Sequence, residues 1–277
     1  MASQPIPPRA GRPAPEEMRS SVSPALRAGL QRWLGDWLVG NADAQGRAVL
    51  VAIGLDLDFE GRTDWAFGEI LSHADQGDDE LLDAVHVTLG VLASGPTTLR
   101  APPHLEVARL LAVGRSAWSA TEEGLVHRAD PTAQAAFELA TSIPGSVSTE
   151  LTEAWEKAHA RQSKPGDAWD HAIKAVEAVL IPIVLPPTQI KPNLGHVLGQ
   201  LRQLRGQTEL WTLGVRGQSR DNSIQPLVSM LTLLWPDPNR HGSPNPEPPA
   251  TPEEGRVMAN LATTIVQWAR DGLITRR

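Results

Sequence analysis

The chain has no cysteine among its 277 residues. That excludes disulfides, thiolate metal sites and a cysteine nucleophile together, and it fits a reducing cytoplasm. It also lacks any long hydrophobic run: Ala178 to Pro186, the longest apolar stretch, is broken by prolines and is far too short to span a bilayer. Met1 to Pro15 has no apolar segment of the kind that forms a signal-peptide core. A soluble, cytoplasmic protein without membrane association is expected. Lysine is scarce as well, and the cations are nearly all arginine. Lys157, Lys164, Lys174 and Lys191 are the only lysines, and the net charge is −7. A protein that coats DNA needs a broad basic face, so no stable DNA binding is expected, whereas an RNA-directed protein with one local site remains compatible. Apolar residues make up 41%, enough for a buried core and too many for global disorder.

Proline-rich residues 1–22 read as a flexible leader. A helix then opens at Ser23-Pro24, carries Leu26, Leu30, Trp33, Leu34 and Trp37 at helical spacing, and ends at Gly40-Asn41. Ala48 to Ile53 is an apolar run that fits helix or strand equally. Asp56, Asp58 and Glu60 ahead of Gly61 lack the full twelve-residue calcium loop and read as a solvated turn. Asp78–Leu92 and Pro103–Val113 are the next helices, completing a helical N-terminal domain over 23–115. Residues 116–147 form a hairpin and connecting helix: Ala117-Trp118-Ser119 and Leu125-Val126-His127 flank Gly124, and Asp130-Pro131 starts a helix that stops at Pro144-Gly145.

Residues 148–277 carry cleaner signals. Ser148 with Glu150 and Glu153 opens a helix with negative charge at its positive end. Pro165 to about Leu180 is a second, Asn193 caps a third, and Ser223 caps a fourth that Pro236 stops. Thr251-Pro252-Glu253-Glu254 is a capping box for the last, which runs past Trp268 to Gly272. Five amphipathic helices with short or medium connections predict an antiparallel helical bundle, so the fold class is mainly α with one short β-hairpin. Trp155, Trp169, Trp235 and Trp268 lie on apolar stripes and read as core. Gly195 and Gly199 follow no strand, which argues against a dinucleotide loop. No metal-ligand spacing is present, so neither metal nor cofactor is expected, and His196 reads as a packing residue near a helix start.

Three segments resemble the C-terminal domain of abortive-infection proteins in the HEPN superfamily: Asp167-Ala168-Trp169-Asp170-His171-Ala172-Ile173-Lys174-Ala175-Val176-Glu177-Ala178, Asn193-Leu194-Gly195-His196-Val197-Leu198-Gly199, and Asn239-Arg240-His241-Gly242. The resemblance implies a HEPN-like bundle over 148–277, an antiviral or toxin-type role, RNA binding, metal-independent endoribonuclease activity and a homodimer that pairs its sites. It further implies His241 and Arg240 as catalytic residues, for proton transfer and phosphate binding respectively. Asp237 and Asn239 are their supporting partners, and Lys174 and Glu177 are candidates for reaching the same site across the bundle. The family separates its arginine from the following histidine by four to six intervening residues. Here 234–237 are Leu, Trp, Pro and Asp, and Arg240 stands directly beside His241. Two readings of this departure follow. One is RNA binding with cleavage; the other is a non-catalytic helical dimerisation or interaction module. For His171, Lys174 and Glu177, which recur along one strip, a polar flank with local ion pairing is the simpler reading.

Overall fold

The structure, a computed structural model, describes residues 21–40, 66–93, 102–215, 222–235 and 248–277. The chain is mainly helical with small antiparallel hairpins, and it divides into two compact units, one up to Arg128 and one from Ala129. The run at 48–53, the acidic turn at 56–60, most of the proline-rich leader and positions 237, 239, 240 and 241 lie outside the described residues.

The first unit comprises α1 (Pro24–Gly40), α2 (Ala66–Ala74), α3 (Asp78–Ala93), α4 (Pro103–Val113), β1 (Trp118–Thr121) and β2 (Gly124–His127). Its helices bury Leu30 and Leu34 from α1, Ile70 from α2, Leu81 and Leu82 from α3 and Leu111 from α4, all fully enclosed. Each such side chain removed from water stabilises the unit by about 1.5–3 kcal/mol before entropy is counted. Val22, inside the span read as leader, is buried in this core, and its N–H donates to Asp78 Oδ2 at 2.9 Å. The Arg27 guanidinium pairs with the same carboxylate and reaches the carbonyl of Ala74. Those contacts, the Val22 N–H first and Arg27 second, hold Asp78 below the usual aspartate range. The expected hairpin forms with Thr121 opposite Gly124. Gly124 adopts φ +135°, and a Cβ there would lie 2.3 Å from His86 Nδ1. The room is needed because the Leu125 N–H donates to that nitrogen at 2.8 Å, tying the hairpin to α3.

The second unit holds α5 (Pro131–Thr141), α6 (Ser146–His159), α7 (Pro165–Val184), α8 (Leu194–Leu201), β3 (Leu204–Arg205), β4 (Thr208–Glu209), β5 (Trp211–Leu213), α9 (Gln225–Leu234), α10 (Pro252–Arg270) and β6 (Ile274–Arg276). Helices α6, α7 and α10 all pack on one another and form the centre; α5 leans on α10 and α6, α8 on α7, and α9 on α8 and α10. Gly255 lets the start of α10 approach α7, since a Cβ there would sit 3.0 Å from Pro165 Cα. Phe137 stacks on Trp155 with centroids 4.4 Å apart, and Trp155 stacks on buried His159 at 4.2 Å. Arg270 reaches back to the carbonyls of Ala140 and Ile143, closing the C-terminal end of α5 with a cation.

Several boundaries differ from the sequence expectation for physical reasons. Helix α6 begins at Ser146 rather than Ser148, because Ser148 turns its hydroxyl back to the Ile143 carbonyl instead of capping. Helix α7 runs on to Val184 through Pro182, which costs the helix its backbone hydrogen bond to the Ala178 carbonyl without ending it. Helix α9 starts at Gln225, and Ser223 accepts from the Gln225 N–H at 3.1 Å. Two further antiparallel pairings lie outside the sequence expectation: the hairpin of β3 with β4, and the long-range pair of β5 with β6, which sets Thr212 opposite Thr275. No helix among the described residues is long and apolar enough to cross a membrane.

Candidate functional site

Of the six residues that the sequence nominates, Lys174 and Glu177 are described, both on α7. The Asp170 carboxylate accepts from Lys174 Nζ at 2.7 Å, one turn away on the same helix. This is the local pairing expected of a polar helical flank, with an exposed-site value of only about 0.3–0.5 kcal/mol. Glu177 does something sequence spacing could not reveal. Its Oε1 accepts the N–H of Leu194 at 2.8 Å, satisfying a donor that the first turn of α8 cannot satisfy itself. Asn193 completes that helix start by accepting from the His196 N–H at 3.0 Å, as its capping position predicts.

The C-terminal end of α9 meets the same region. Trp169 on α7 is buried and donates its indole N–H to the Leu234 carbonyl at 2.8 Å. Trp235 then lies over the start of α8: a Cβ at Gly195 would fall 3.3 Å from its Nε1. Asp237, Asn239, Arg240 and His241 lie outside the described residues.

A second polar cluster spans α6 and α7. His171 Nδ1 and Glu150 Oε2 are 2.7 Å apart, with side chains 21% and 31% exposed. Beside them Glu153 pairs with Lys157, and that hydrogen bond, with the lysine charge, holds the Glu153 carboxyl below its usual range. The sequence reading grouped His171 with Lys174 and Glu177 but missed Glu150, whose partner lies 21 residues away on another helix. The three α7 residues thus divide: Lys174 pairs locally, Glu177 faces α8, and His171 faces α6.

On the far side of α9, Glu209 is an unpredicted anchor. It accepts from Ser223 Oγ at 3.0 Å, the Ile224 N–H at 3.0 Å and Gln225 Nε2 at 2.8 Å. Partial desolvation pushes its pKa upward, but the hydrogen bonds from Gln225, Ile224 and Ser223 outweigh this and leave it lowered. A carboxylate at a helix start is also favoured by the helix dipole. No group of three or more histidine, aspartate or glutamate side chains suited to a metal ion occurs among the described residues. No family model, no curated protein and no solved structure matches this chain.

Proposed function

We propose that the second unit is a HEPN-like, RNA-binding helical domain of an abortive-infection type protein, contacting RNA through the segment that carries Asp237, Asn239, Arg240 and His241. The observation that supports the reading is a convergence. Glu177 of the first family-like segment hydrogen-bonds Leu194 of the second, and Trp235, four residues ahead of the third, lies against Gly195 of the second. The chemistry suits the ligand: an arginine can grip a phosphodiester through two hydrogen bonds, and a histidine can move a proton near neutral pH. Two protomers pairing these segments would double the local positive charge on a chain that is acidic overall. The direct test mixes the full-length protein with structured RNA in EDTA. Cleavage that His241→Ala reduces by about 100-fold or more supports His241 as a proton-transfer residue; cleavage unchanged by the substitution removes it from that role.

A second reading, a non-catalytic dimerisation or interaction module, is favoured by one specific observation. Lys174 and Glu177, two of the six nominated residues, are engaged in their own fold, one by Asp170 and one by the start of α8. A protein that is dimeric by light scattering and leaves RNA unbound at low salt fits this reading instead.

A further inference from the structure

Resting on the RNA reading above, we propose that His171, oriented by Glu150, is a proton-transfer residue for RNA cleavage by the second unit, with Lys174 placed to receive the phosphate. The pair has the geometry such a role requires. Glu150 comes from α6 and His171 from α7, so the imidazole is fixed by a carboxylate on a separate, packed helix rather than by its own turn. The 2.7 Å contact takes up Nδ1. That leaves Nε2 as the ring nitrogen available to a further partner. A carboxylate on one imidazole nitrogen sets the tautomer in which the other can accept a proton. At 21% exposure the ring is held firmly yet open to solvent on one side. Lys174 lies three residues on, on the same strip of α7, where its ammonium can exchange its local carboxylate, Asp170, for a phosphate oxygen.

The step balances without a metal or redox partner. Nε2 of His171 takes the proton of a ribose 2′-hydroxyl; the 2′-oxygen forms a bond to phosphorus, and the bond from phosphorus to the 5′-oxygen breaks. The leaving 5′-oxygen takes a proton from water, and the hydroxide so formed recovers the proton held by His171. The products are a 2′,3′-cyclic phosphate and a 5′-hydroxyl.

The experiment uses the full chain and a structured RNA in EDTA, with binding and cleavage measured separately. His171→Gln is expected to lower the cleavage rate by about 100-fold or more with RNA affinity kept within about two-fold. Glu150→Gln, a positioning change, is expected to lower kcat by about ten-fold with little effect on KM, a split that a merely structural ion pair would not produce. Lys157→Gln breaks the neighbouring Lys157–Glu153 pair on α6 and is expected to leave cleavage within about two-fold, which controls for damage to the α6–α7 packing. A single 2′-deoxy substitution at the cut site is expected to abolish cutting there. Wild-type cleavage that His171→Gln leaves intact overturns this inference and not the RNA reading. RNA that is bound but never cut also overturns it alone, whereas RNA that is not bound at all overturns both.

Discussion

Single side chains in this protein act mainly by closing the ends of helices other than their own. Glu177 satisfies the start of α8, Glu209 the start of α9, and Arg270 the end of α5. None of these could be read from local sequence, because each pairs residues on different elements; Arg270 and Ala140 are 130 positions apart. Glu209 gives a prediction with a definite sign. Its carboxyl is lowered in the folded protein, so its stabilisation is present in full above the ordinary glutamate pKa and is lost as pH falls through the native value. Urea unfolding near neutral pH is expected to show Glu209→Ala less stable by about 2 kcal/mol, the loss of hydrogen bonds to a charged acceptor. The gap between variant and parent narrows as pH falls below the glutamate range. A constant gap across that range contradicts the assignment.

Helix starts were the most legible elements, since their chemistry is local. Pro103, Pro131, Asn193 and Thr251 each stand where the sequence puts them, with Asn193 and Thr251 making the expected side-chain hydrogen bonds. The Thr251 hydroxyl accepts from the Glu254 N–H at 3.2 Å, and the Glu254 carboxylate accepts from the Thr251 N–H at 2.7 Å. Because α10 packs on α5, α6, α7 and α9, fraying its first turn weakens the whole unit. Thr251→Ala is expected to lower unfolding free energy by about 1 kcal/mol, measured as a shift in urea midpoint with unchanged slope. Elements that depend on distant partners stayed hidden. Strands β3 to β6 are two or three residues long and show no alternating run, and β5 meets β6 across 63 residues at Thr212 and Thr275. The nine residues of α2 were likewise passed over, too few for a periodic signal to stand out. The candidate site was legible only as residue types. Spacing along α7 placed His171, Lys174 and Glu177 on one strip, but the carboxylate on α6 and the backbone on α8 that divide them are tertiary facts.

For the molecule as a whole, the two units differ in what they offer. The first buries its core around α1 and α3 and ties its hairpin down through His86. The second ties α7 to the start of α8 through Glu177 and carries the Glu150–His171 pair. An acidic chain that binds RNA must do so through a restricted patch, so its affinity should fall with salt by only a few phosphate contacts' worth. The most direct measurement is a fluorescence anisotropy titration of a labelled structured RNA with full-length protein at low and at physiological salt. Saturable binding that weakens with salt, and that unlabelled duplex DNA does not compete away, is the predicted result. A flat titration at low salt, at protein concentrations well into the micromolar range, would contradict it.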